Sequence, residues 1–204
     1  RDQVVAMNVQ MQIFIAPEID IVNFYGHDLV TNPATKAAVL EKVATSKKQA
    51  QQEYGVTSRA DLVTKDDGIR IFVPNLSAGE TYWVVFELAT PNGMGLRNYG
   101  NATVQYVDTF AKDNSHSQLA LNQTGKIPAS VVAEHGTGLW TSEVIFDAIH
   151  DLQEGDIGTF KKRISNHIEV LENLAWDLGS SYLADDKIIL GKFMTLAENI
   201  GKPQ

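Results

Sequence analysis

The hydrophobic period of this chain changes once, from two residues to 3.6, across Asn122-Gln123-Thr124-Gly125-Lys126-Ile127-Pro128. That change limits the fold more than any motif does. A period of two belongs to strands with one buried face and a period of 3.6 to helices with one buried stripe, so the chain is expected to be α+β, with most strands before the change and three helices after it. No regular βαβ alternation precedes residue 122, which argues for an antiparallel β-sandwich rather than a parallel sheet. Residues 1–122 are accordingly read as a β-sandwich-like domain and 123–204 as a helical segment, whose stripes are broad enough to cover a sheet face and share its core.

Within the first part, Val5, Met7, Val9, Met11, Ile13 and Ile15 alternate with Ala6, Asn8, Gln10, Gln12 and Phe14. This predicts one long strand with a single buried face. Pro17 interrupts it, and Ile19 to Phe24 resumes before Gly26. Asn32-Pro33 then opens a helical insertion over about 33–55, rich in Ala, Lys, Gln and Glu and closed by Gly55; as the least apolar helix it belongs on the surface. After the turn Lys65-Asp66-Asp67-Gly68, strands are predicted at Ile69–Val73, Thr81–Ala89 and Asn101–Asp108, with Ser117–Leu121 adding one more.

The helices are predicted at about Gly138–Leu152, Ile157–Leu178 and Asp185–Ile200. Their stripes are Trp140, Val144, Ala148 and Leu152; then Phe160, Ile164, Ile168, Leu171, Leu174 and Leu178; then Ile189, Phe193, Leu196 and Ile200. Short links at Glu154-Gly155-Asp156 and from Gly179 to Ala184 require antiparallel neighbours.

Several chemistries are set aside. A net charge of −8 disfavours a phosphate-backbone binder, whose affinity rests on clustered Lys and Arg. No cysteine is present, which removes disulfides, thiol nucleophiles and thiolate metal sites. His27, His116, His135, His150 and His167 show no His-x-x-x-His or Glu-x-x-His spacing; His150 with Glu154 reads as a solvated i, i+4 pair. Asp108 and Asp113 read as turn formers and Asp185-Asp186 as helix caps. Neither Gly-x-Ser-x-Gly nor Ser-x-x-Lys occurs, and Gly93-Met94-Gly95 lacks the rest of a phosphate loop. Trp83, Trp140 and Trp176 read as core or inter-layer aromatics. No catalytic, cofactor-binding or metal residue is assigned.

The passage Ile69-Arg70-Ile71-Phe72-Val73-Pro74-Asn75-Leu76-Ser77-Ala78-Gly79-Glu80-Thr81-Tyr82-Trp83-Val84-Val85-Phe86-Glu87-Leu88, followed by Ala102 to Asp108 and the Leu152-Gln153-Glu154-Gly155-Asp156 turn, resembles the β-sandwich and helical region that follows the von Willebrand factor A domain in bacterial proteins. The A domain itself lies outside this resemblance; the bare string Asp-x-Ser-x-Ser of its metal site occurs once, as Asp113-Asn114-Ser115-His116-Ser117, outside the passages that carry the likeness, and no metal is assigned to it. The resemblance implies a non-catalytic scaffolding or protein-interaction region accessory to an upstream adhesion domain, in an extracytoplasmic setting at the periplasm or cell surface, with a protein partner and no membrane insertion. Opening on Arg1-Asp2-Gln3, the chain reads as a segment of a longer protein. One alternative is a carbohydrate- or peptide-binding sandwich using Tyr99, Tyr106 and Phe110 near the loops 91–100 and 108–117. Another is a hydrolase built on Glu80 and Glu87, which seven residues apart in one strand would face opposite sides of the sheet.

Overall fold

The structure, a computed structural model, describes residues 3–27, 32–63, 68–92, 99–122 and 127–200, without the side chains of Glu198 and Ile200. The expected turn residues 65–67, the pair Gly93 and Gly95, and the helix stop at 201–203 lie outside the described residues. The element order is β1 (Val4–Ile15), β2 (Asp20–Tyr25), α1 (Pro33–Tyr54), β3 (Ile69–Ser77), β4 (Val85–Ala89), β5 (Gly100–Asp108), β6 (Asp113–Leu121), α2 (Ala129–Gln153), α3 (Ile157–Leu178) and α4 (Ser181–Ile200). The protein is α+β, with a four-stranded antiparallel sheet ordered β3-β1-β5-β6, a two-stranded sheet of β2 and β4, and three C-terminal helices.

The chain divides into two compact units, and the division is not a single cut. Residues 22–27 and 83–87, from β2 and β4, group with 126–204, while the rest of 1–125 forms the other unit. This division differs from the boundary expected at 122–123, which would separate these two segments from the helices they group with.

In the sheet unit, the strict alternation of β1 does not give one buried face. Met7 stands opposite Val107 and Gln10 opposite Gln105, a register shift between them, and Asn8 within it has φ 51°. This is a β-bulge, which brings Met7 and Gln10 onto the same face of the sheet; Asn tolerates the left-handed conformation better than a β-branched residue. Met7 and Val107 pack there with Ala50 of α1 and with Val56. Val9 and Ile13, opposite Val73 and Ile69 of β3, turn to the other face. Both sets are buried, and so are Asn8, Gln10 and Gln12, which simple alternation places on the polar face.

α1 begins as its sequence requires: the Asn32 side chain accepts from the Ala34 N–H, Pro33 occupies the first turn, and Gly55 closes it at φ 76°. It buries only Val43, Ser46 and Ala50, as a surface helix should. β3 continues beyond the predicted Val73 through Pro74 to Ser77. It is an edge strand, where a residue without an N–H costs no ladder bond if that side faces outward.

In the helical unit, Phe160, Ile164 and Leu171 of α3 are fully buried between Val144 and Ala148 of α2 and Leu183, Leu190 and Ala197 of α4. α3 packs against both neighbours and is the central helix. Its start is capped by Asp156, which accepts from the Thr159 N–H at 3.0 Å, and its end is closed by Gly179 in the left-handed region. α2 starts at Ala129, nine residues before the prediction. Gly136 and Gly138 discourage a helix there, yet Gly136 has a packing reason: a Cβ at that position would lie 3.3 Å from Val85 of β4.

Candidate functional site

The aromatic trio expected to contact a ligand is dispersed. Tyr99 sits at the entry to β5, donating its N–H to the Leu121 carbonyl at 2.7 Å and accepting from the Ala16 N–H at 2.8 Å. Tyr106 lies within β5 opposite Ser115. Phe110 is exposed in the turn that follows, where its N–H bonds Asp108 Oδ1. A strand rises ~3.3 Å per residue, so Tyr99 and Phe110 stand roughly 30 Å apart at opposite ends of β5. The segment 108–117 is not a loop either, because β6 begins at Asp113. Asp108 also accepts from the Ala111 N–H, which makes it the turn former its sequence suggested.

Glu80 and Glu87 do not share a strand. Glu80 lies in the turn before β4 and accepts from the Ser77 N–H at 2.6 Å, while Glu87 on β4 accepts from the Tyr25 hydroxyl at 2.9 Å. Burial, more than the Glu87 carboxylate, holds the Tyr25 phenol above its ordinary range. Around Tyr25 the β2–β4 ribbon packs by its aromatics: Phe24 stacks on His27 and on Phe86 with centroids 4.4 Å apart, and Trp83 stacks on His135 at 3.9 Å. Gly26, at φ 73° and with its N–H held by Glu143, has no room for a Cβ beside Leu139. These are structural contacts that fill the ribbon.

A polar network that sequence reasoning missed lies in the sheet unit. The Gln10 amide donates to Asp61 Oδ1 at 2.8 Å and to Asn8 Oδ1 at 3.0 Å, and its oxygen accepts from the Leu62 N–H at 2.7 Å. Gln105 donates to the Ala60 carbonyl and Asn114 to the Thr57 carbonyl, so side-chain amides from the sheet replace the ladder partners that residues 57–62 lack. Lys47 of α1 closes the network on Asp61 at 3.0 Å. Its role is to strap that segment down.

Between α2 and α3 lies a cleft of about 430 Å³ lined by Trp140, Val144, Thr159, Asn166 and Val170, with His167 buried in its wall. Thr141 donates its single hydroxyl proton to the Thr137 carbonyl at 2.9 Å, so its oxygen accepts from His167 Nε2, also at 2.9 Å. The imidazole then carries its proton on Nε2, and the buried Nδ1 has no hydrogen-bond partner. Burial holds the His167 pKa below the ordinary histidine value, keeping the ring neutral. The neighbouring Arg163 is committed to Asp151 at 2.8 Å and Asp147 at 3.0 Å.

The largest departure from expectation is on α4. Of the predicted stripe, Ile189 and Leu196 face solvent, 53% and 59% exposed, as do Tyr182 at 73% and Ile188 at 54%, whereas Phe193 packs edge-on against Phe160 of the core and the side chain of Ile200 lies outside the described residues. Trp176 of α3, expected inside, is 87% exposed beside Ala184 and Lys187. Among the described residues no cluster of three His, Cys, Asp or Glu is placed to hold a metal, and no helix is long and apolar enough to cross a membrane. No family model, curated protein or solved structure matches the chain.

Proposed function

We propose that the chain is a non-catalytic interaction module whose working surface is on the helical unit, accessory to an adhesion domain of the von Willebrand factor A type. The observation that carries the interaction reading is the row Tyr182, Ile189 and Leu196 on one face of α4, all left in water. Large apolar side chains gathered on one helix mark a contact surface more often than isolated ones do, because each exposed residue forgoes about 1.5–3 kcal/mol of burial. The adhesion-domain part rests on the resemblance of the Ile69–Leu88 passage alone.

Two experiments test the parts separately. A photo-crosslinking amino acid at position 189 in cells should give a discrete adduct, identified by mass spectrometry; a chain that forms none there and none at 182 overturns the interaction reading. Reading the gene upstream of the codon for Arg1 should reveal an Asp-x-Ser-x-Ser segment, and an intact upstream frame without one removes the adhesion link.

A further inference from the structure

We infer that the exposed face of α4 pairs with α4 of a second copy of this chain, antiparallel and about a two-fold axis at the level of Ile188 and Ile189. This rests on the interaction reading and names its partner. Tyr182, Ile189 and Leu196 recur every seven residues and form a ridge about 100° round the helix from the buried Leu183, Leu190 and Ala197. Seven-residue spacing is what keeps a ridge against a partner helix along its length.

The charges beside that ridge choose the occupant and the direction. Asp185 and Lys192 are both exposed, lie seven residues apart on the same flank of the ridge, and form no ion pair among the described residues. They are placed symmetrically about Ile188–Ile189. An antiparallel two-fold sets the same flanks side by side, so Asp185 of each copy meets Lys192 of the other at both ends. Tyr182 then lies level with Thr195 and Leu196 of the second copy. A parallel pairing would instead bring Asp185 and Asp186 of both copies to one level, four carboxylates together. An anionic membrane is a poorer occupant, since the flank carries one charge of each sign and the chain a net −8.

The test is solution mass by light scattering and sedimentation over micromolar to near-millimolar concentration. The wild-type chain should approach twice its 22.4 kDa mass, and Ile189→Glu should remain at 22.4 kDa. Asp185→Lys and Lys192→Asp should each weaken the dimer at least about tenfold, the scale of one pair of attractions turned into repulsions. An equimolar mixture of these two variants should form a mixed dimer, because each copy then supplies the charge the other needs, and the double variant should recover the wild-type mass. A monomer at every concentration overturns the inference, as does a dimer indifferent to these variants or a mixture that stays monomeric. Should the chain be monomeric while the crosslink at position 189 captures another protein or lipid, the self-pairing falls and the interaction surface stands.

Discussion

Gln10 shows how much a single residue can hide from a pattern. Alternation assigns it to the polar face of β1, and polar it is, but it is fully buried and holds Asn8, Asp61 and the Leu62 N–H at once. Nothing in the spacing announces this, because the bulge at Asn8 is a matter of one backbone dihedral and its partner segment lies some fifty residues away. Gln10→Leu would leave the Leu62 N–H without its acceptor, so it should lower stability by about 1–3 kcal/mol in urea titration, while Gln118→Leu on the exposed β6 should stay within about 0.5 kcal/mol. His167 makes a second residue-scale prediction. Its folded pKa is lowered by burial, whereas the unfolded ring titrates near ~6.5. Above that pH both states are neutral; below it the unfolded chain takes up a proton that the folded chain refuses, and stability falls until the folded pKa is passed. Thermal midpoints should therefore drop from pH 7 to pH 5.5, and His167→Gln, which keeps a donor near Thr141, should flatten that drop. Equal slopes in the two proteins would show that His167 does not carry the effect.

At the scale of elements, the sequence was most legible where one stripe only was available and least legible where two competed. α3 offers a single regular stripe, and Phe160, Ile164 and Leu171 are buried as it requires. α4 offers two, Leu183-Leu190-Ala197 and Tyr182-Ile189-Leu196, both with heptad spacing. Periodicity cannot say which one meets the core; the link at Gly179-Ser180 decides it, since Ser180 Oγ accepts from the Leu183 N–H and starts the helix four residues before the predicted Asp185. The prediction is a contrast. Leu171→Ala and Leu190→Ala each remove a side chain with no exposed surface and should cost about 2–5 kcal/mol through the cavity left behind. Ile189→Ala, measured at concentrations low enough to keep the chain monomeric, should change stability by less than about 0.5 kcal/mol. Midpoints from far-UV circular dichroism rank the three, and a reversed order of Leu190 and Ile189 would mean the helix is rotated from the orientation described.

For the whole molecule, the change of period at 122–128 locates the helices but not the edges of the units. A cut there would leave α2, α3 and α4 with their shared core and take away the ribbon segments 22–27 and 83–87 that group with them. Three interactions would go with the ribbon: Val85 against Gly136, the stack of Trp83 on His135, and the bond from the Gly26 N–H to Glu143. They fall on His135, Gly136 and Glu143 of α2, ahead of the buried residues shared with α3 and α4, Val144 and Ala148. Residues 127–204 produced alone should therefore remain helical and fold, since the three-helix core is complete, but with the start of α2 frayed. For a unit of this size each kcal/mol removed lowers the midpoint by about 4–8 °C, and without one apolar contact and one aromatic stack, each on the order of 1 kcal/mol, it should fall by roughly 10 °C relative to the helical transition in the full chain. Hydrogen exchange supplies the second reading: amides of residues 129–139 should lose protection in the fragment while those of α3 keep it. A fragment as stable as the full chain, with residues 129–139 still protected, would show that the ribbon contributes nothing to the helical unit and that 122–123 is its true boundary.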